Sequence, residues 1–141
     1  EKIEELARPY RDRVKLHLSF LTDEEFEMAI QAVDAIVLPY RKTFNGASGP
    51  LGEGVAKGKM IIAANHGSLG DTVEKNHLGY TFESENVEAL SKVLNTVVQS
   101  CTFKYDTSAL MYMNTISINT FRKKYRGIYR RYMNERARER K

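Results

Sequence analysis

Cysteine occurs once in the 141 residues, and no apolar run approaches the roughly 20 residues that a bilayer-spanning helix needs. The lone Cys101 cannot close an intrachain disulfide, which excludes a disulfide-stapled scaffold and fits a reducing, cytoplasmic compartment. Histidine is scarce as well. His17 and His77 stand without Cys or Asp at ligand spacing, so no metal site and no metal cofactor are expected. No internal repeat is present, which argues against a solenoid or propeller. A leader sequence is missing too, but the chain opens on Glu1 rather than Met, and Glu1 to Leu6 reads like the middle of an amphipathic helix. That absence therefore excludes nothing.

What is present is the composition of an ordinary soluble domain, 42% apolar and 28% charged, with enough length for one core. The net charge of +4 conceals an asymmetry. Ten of the 22 basic side chains fall in residues 121–141, against only Glu135 and Glu139 among the 18 acids. A mildly acidic body thus carries a strongly basic tail.

Along the chain, Val14 to Leu18 is an apolar-rich strand candidate. Thr22-Asp23-Glu24-Glu25 reads as a capping box, and Phe26, Ile30 and Val33 share a face of the helix it opens. Ala35 to Leu38, stopped by Pro39, and Met60 to Ala64 are fully apolar runs, as expected of parallel strands buried on both faces. Between them a Gly-rich loop, Phe44 to Gly49, leads into a helix over Pro50 to Lys57 that Gly58 ends. A second loop, Asn65 to Gly70, precedes a short helix and a weaker strand at Gly79 to Phe82. Ser84 or Asn86 caps the next helix, whose stripe is Val87, Leu90, Val93, Leu94 and Val97. Two more helices close the chain, about Tyr105 to Met113 and Ile118 to Arg136, and their Tyr and Met residues read as core packing. Strands alternating with helices predict an α/β fold with a parallel sheet flanked by helices, as one unit with an α/β body over 1–100 and C-terminal helices over 101–141.

Ligands of such a sheet bind beyond the carboxyl ends of its strands, where both loops fall. Asn45-Gly46-Ala47-Ser48-Gly49 ends at a helix start, whose free N–H groups and dipole favour an anion. Pro50 has no N–H, leaving the donors of Gly49, Leu51 and Gly52. Glu53, in the first turn of that predicted helix, can accept hydrogen bonds from paired sugar hydroxyls. A plain loop with a solvated Glu fits the spacing equally, since a lone Gly-rich loop is a weak motif. The second loop, Asn65-His66-Gly67-Ser68-Leu69-Gly70-Asp71, suits close contact of Gly67 and Ser68 with a sugar, with Asp71 on its hydroxyls. There the alternative is that Asp71 only caps a helix and His66 is an ordinary loop histidine.

Read in order, three stretches resemble the C-terminal domain of the family-4, or group 1, glycosyltransferases: Ala32 to Tyr40, Ser48-Gly49-Pro50-Leu51-Gly52-Glu53-Gly54-Val55-Ala56 through Ala63, and His66-Gly67-Ser68-Leu69-Gly70-Asp71-Thr72-Val73. Members typically show an Ala-Asp strand ending in Leu-Pro, a Gly-rich turn with Glu-Ala-Met-Ala-x-Gly-x-Pro-Val, and a Gly-Gly turn with an acidic residue. Leu78 to Phe82, Val87-Glu88-Ala89-Leu90 and the Ser117 to Phe121 step extend the likeness, which runs from about Val14 to Met133. The resemblance implies the Rossmann-like, nucleotide-sugar-binding half of a GT-B architecture. It further implies a retaining, metal-independent hexosyl transfer from a nucleotide-diphosphate sugar to a glycan or glycolipid acceptor, commonly in bacterial surface polysaccharide synthesis. Glu53 then corresponds to the second glutamate of the family's Glu–seven residues–Glu motif, on the nucleotide ribose, with Ser48, Gly49 and Leu51 at the diphosphate or sugar.

The first glutamate of that motif falls at Asn45, which bonds hydroxyls without charge, so a catalytic role there is weakened. By the same resemblance the domain's first strand, its diphosphate-gripping Arg and Lys, and the acceptor-binding domain would precede Glu1, and this chain alone is expected to be inactive. A rival reading, favoured by Asn45, is a degenerate relative that holds a nucleotide or partner and transfers nothing. The apolar stripe Phe121, Tyr125, Ile128, Tyr129 and Tyr132 is expected to pack on protein. The cations from Arg122 to Lys141 are then available to an anionic membrane surface, as in a protein peripheral to the inner face of a membrane, or simply solvated. The tail lacks the motif context of a nucleic-acid binder, and no nucleic-acid partner is expected.

Overall fold

A computed structural model describes residues 2–100 and 102–139, with side chains through residue 137; Cys101, Arg140 and Lys141 lie outside the described residues. Three parallel strands, β1 (Ala35–Leu38), β2 (Met60–Ala64) and β3 (Gly79–Phe82), form one sheet in sequence order. Helices α3 (Gly49–Ala56) and α4 (Gly67–Lys75) make the two crossovers. Ahead of the sheet come α1 (Lys2–Ala7) and α2 (Asp23–Ala32), and after it α5 (Val87–Gln99), α6 (Thr107–Ile116) and α7 (Ile118–Glu139). This is the expected α/β arrangement.

Strand β2 explains why the sheet holds. All five of its residues are buried, and alternation sends them to two separate cores. Ile61 and Ala63 face Leu51 and Val55 of α3, Leu69 and Val73 of α4, and Ala109 of α6. Met60, Ile62 and Ala64 face Phe82 and the Ala89, Leu90, Val93 and Val97 stripe of α5. Both faces of the central strand are therefore covered, the condition under which a parallel sheet is stable.

The edge behaves differently. Of β1 only Leu38 is buried, and Val37 stays 39% exposed, because α5 packs over β2 and β3 and does not reach it. The expectation of a strand buried on both faces is corrected there. Val14 to Leu18 is not a strand: no neighbour pairs with it among the described residues, and Val14, Leu16 and Leu18 are exposed. An apolar alternation without a hydrogen-bonding partner does not make a ladder. In α5, Val87 is 76% exposed, one turn too early to meet the sheet.

Helix boundaries follow their caps. Thr22 and Glu25 form the predicted capping box, with the Glu25 N–H donating to Thr22 Oγ1 at 3.2 Å and the Thr22 N–H donating to Glu25 Oε2 at 2.8 Å. Asn86 rather than Ser84 caps α5, accepting from the Ala89 N–H at 2.9 Å. Asp106 caps α6, and Ser117 Oγ accepts from the Thr120 N–H to open α7. Beyond that point α7 leaves the body: every side chain from Phe121 to Ala137 is exposed. The expectation that Phe121, Tyr125, Ile128, Tyr129 and Tyr132 pack on protein is not met among the described residues. The sheet faces are already occupied by α3, α4, α6 and α5.

Candidate functional site

The β1–α3 and β2–α4 loops come together at the carboxyl ends of the strands, as the topology requires. Tyr40, two residues past β1, stacks its ring on Phe44 with centroids 4.2 Å apart, and its hydroxyl lies 3.3 Å from Ser48 Oγ. Ser48 is the N-cap of α3, its Oγ accepting from the Leu51 N–H at 3.2 Å. The Gly52 N–H is taken by the Ser48 carbonyl. Of the three donors expected to face an anion, two are thus spent inside the helix start, and Gly49 alone keeps a free N–H among the described residues.

Helix α4 shows the opposite. It starts at Gly67, inside the predicted loop, and its N-cap residue His66 makes no side-chain cap. The N–H groups of Gly67, Ser68 and Leu69 consequently lack partners among the described residues, and they sit at the positive end of a helix. Gly67 holds φ +58°, which favours glycine there, and its Cα faces Asn45 Oδ1 of the other loop. Asp71 is no cap. It lies in the second turn of α4 and pairs with Lys75 at 2.8 Å on an exposed surface. Gly70 is buried against the Asn65 backbone, so its missing Cβ serves packing rather than a ligand.

A cleft of about 630 Å³ opens between α3, α4 and the α6–α7 corner. Ser48, Leu51 and Glu53 line one side, Ser68 and Thr72 another, and Tyr112, Ile116, Ser117 and Ile118 the third. Glu53 falls in the second turn of α3, not the first, and its exposed carboxylate has no hydrogen bond or ion pair among the described residues. Ser48, Leu51, Glu53 and Ser68 therefore share one cleft, whereas Asn45, Gly49, Gly67 and Asp71 are not part of its lining. No Lys or Arg lines it among the described residues.

The third wall was missed by sequence reasoning. Tyr112 is expected only as core packing, and it does pack against the core together with Ile116, but both residues also line the cleft. Burial pushes the Tyr112 hydroxyl above its ordinary pKa. The segment before this wall is pinned by the half-buried Tyr105, whose hydroxyl donates to the Lys59 carbonyl at 2.7 Å and whose pKa is pushed up to about 12 by desolvation. A readable signal existed in Ser117, a helix-capping residue between two helices, since such corners are where side chains converge.

A family model described as glycosyl transferases group 1 matches residues 1–100. The chain belongs to the group 1 glycosyltransferases. No curated protein and no solved structure matches it. The matched stretch spans the sheet, α5 and both site loops of this glycosyltransferase domain, while α6 and α7 lie beyond it.

Proposed function

We propose that this domain holds the nucleotide-diphosphate sugar donor of a retaining, metal-independent glycosyltransferase. The observation that carries the reading is the unpartnered Glu53 carboxylate at a cleft beyond the carboxyl ends of three parallel strands. A carboxylate free of internal partners can accept from two adjacent hydroxyls, the pattern a ribose presents. The uncapped start of α4, where the N–H groups of Ser68 and Leu69 lack partners among the described residues at the cleft wall, supports a diphosphate site there. Transfer builds charge on the departing diphosphate. Fixed N–H donors stabilise that charge without rearranging, which is the largest contribution a site of this kind makes. The approach of Asn45 Oδ1 to Gly67, at the edge of the cleft that Ser68 lines, supports a role for Asn45 in bonding sugar hydroxyls. The acceptor is a glycan or glycolipid.

Asn45 also favours a second reading, a domain that binds a sugar nucleotide and transfers nothing, because the position lacks a carboxylate. The two are separated on the native protein by measuring calorimetric binding and turnover with uridine, guanosine and adenosine diphosphate sugars. Saturable binding with sugar release to an acceptor supports transfer. Binding with no turnover across varied glycan and lipid-linked acceptors supports the second reading, and no binding at all overturns both.

We also propose that α7 meets an anionic membrane surface, which agrees with a lipid-linked acceptor. No described helix is long and apolar enough to cross a membrane. What supports surface contact is the exposed stripe of Phe121, Tyr125, Ile128, Tyr129 and Tyr132. At the helical period Arg122 and Arg126 fall on one of its flanks, Lys124 and Arg131 on the other, the arrangement of an interfacial helix.

A further inference from the structure

The ten residues from Pro39 to Ser48 have no regular structure, yet two of their carbonyls are held from other loops. Ser84 Oγ donates to the Tyr40 carbonyl at 3.0 Å, and His66 Nε2 lies 3.1 Å from the Phe44 carbonyl. A carbonyl only accepts, so Nε2 carries the proton and the imidazole tautomer is fixed by this bond. Ser84 is 2% exposed, a buried polar side chain beside the core, and its N–H donates to Asn65 Oδ1 at 3.3 Å. Loops following all three strands are therefore tied to one another. We propose that His66 and Ser84 are positioning residues that clasp the β1–α3 loop in its ligand-receiving shape.

Three features support the clasp. His66 Nδ1 is buried without a partner. The bond to the Phe44 carbonyl is therefore the one hydrogen bond the His66 ring makes among the described residues. The held carbonyls belong to Tyr40 and Phe44, whose rings stack on each other, and the Tyr40 hydroxyl reaches Ser48, the cap of α3. Fixing those two residues thus fixes the helix start that borders the cleft. Finally, ordering a loop of this length at the moment of binding costs affinity that a loop already ordered keeps. The consequence for a ligand rests on the donor-site reading above; the clasp itself does not.

Hydrogen exchange of the native protein tests the clasp directly, comparing the hydrogen-bonded amides of Phe44, Leu51 and Gly52, in the loop and the helix start it sets, with those of β2 as internal reference. In His66→Ala and in Ser84→Ala the loop amides should exchange about five- to tenfold faster, as loss of one net hydrogen bond allows, with β2 unchanged. His66→Gln, whose amide nitrogen can stand in for Nε2, should restore the wild-type rate. Loop exchange at the wild-type rate in both alanine variants overturns the proposal, as does an equal acceleration in β2 or a failure of Gln to restore. Titration with uridine, guanosine and adenosine diphosphates adds the ligand readout: the alanine variants should bind about five- to tenfold more weakly and His66→Gln like wild type. If the wild type binds none of the three, the donor reading fails while the exchange comparison still decides the clasp.

Discussion

His77 Nδ1 lies 2.6 Å from Asp106 Oδ2, joining the turn before β3 to the cap of α6 across 29 residues of sequence. The other oxygen of the same carboxylate accepts from the Ala109 N–H at 3.0 Å. One side chain thereby both starts α6 and anchors it to the body, and α6 carries Tyr112 and Ile116 to the cleft.

This carboxyl makes the corner sensitive to acid. The Ala109 N–H first, and His77 second, hold Asp106 below its ordinary pKa of 3.8. A lowered folded value means the contribution is fully present above the unfolded pKa and disappears as pH falls through the folded one. Asp106→Asn keeps a cap acceptor and removes the titration. Wild type should hold its full margin over this variant at about pH 5, and the margin should shrink toward zero as pH falls below 3.8. Denaturant melts across that range check it; a margin independent of pH contradicts the assignment.

Backbone conformation sets a second expectation. Gly79 opens β3 at φ +151°, and a Cβ there would run into the Ile61 carbonyl on β2. Because the obstacle is backbone in the central strand, nothing can move aside cheaply. Gly79→Ala should cost about 3 kcal/mol or more, visible as a lower denaturation midpoint. Gly127 in α7 has open space around it, and Gly127→Ala should instead increase helicity by about 1 kcal/mol of local preference.

These cases show which features the sequence carried. Thr22 with Glu25, the apolar β2 run and the Gly58 stop encode their outcomes locally, and each appeared where expected. Strand Val14 to Leu18 did not form, because pairing depends on a neighbour that local pattern cannot reveal. Helix α4 began at Gly67 rather than after Gly70, since that glycine adopts a positive φ at a helix start where no Ser, Thr, Asp or Asn advertises a cap. At the site, the Gly-rich turn marks where α3 starts, at the Ser48 cap with Glu53 inside the helix, while the roles of both residues come only from the family resemblance. The Gly52 donor goes to the Ser48 carbonyl because α3 already starts at Gly49. The loss of the Leu51 donor was not legible, since it depends on whether the Ser48 hydroxyl turns inward. Nor was the Tyr112 wall, whose approach to α3 is tertiary.

Glu53 should matter for ligand and little for folding. It is exposed, in the second turn of α3, and without a hydrogen bond or ion pair among the described residues, so no such bond is lost on replacement. Glu53→Gln in the native protein should weaken sugar-nucleotide binding roughly ten- to a hundredfold, the range for hydrogen bonds to a charged group. Its melting temperature should stay within a few degrees of wild type. Unchanged affinity with a large drop in melting temperature would instead make Glu53 a structural residue.

The last expectation concerns α7. Phe121 and Tyr125 stack at 6.2 Å, and the Arg136 guanidinium sits 5.7 Å over the Tyr132 ring, so the aromatic stripe and the cations form one surface. Tyr125, Tyr129 and Tyr132 have hydroxyls without partners among the described residues. In a dry protein interface each would need an acceptor, whereas at the headgroup level of a bilayer the ring is buried and the hydroxyl stays wet. Cations near such a surface contribute roughly 1 kcal/mol each, a contribution that salt screens. Sedimentation with vesicles separates the alternatives. Binding to phosphatidylserine vesicles that falls with added salt, and is lost in a variant with Arg126, Arg130 and Arg131 all changed to Gln, supports lipid contact. Equal recovery from neutral and anionic vesicles overturns it and leaves the stripe to a protein partner. Replacing Tyr125 and Tyr129 with Ser discriminates further, because a purely electrostatic attraction would survive that change and an interfacial helix would not.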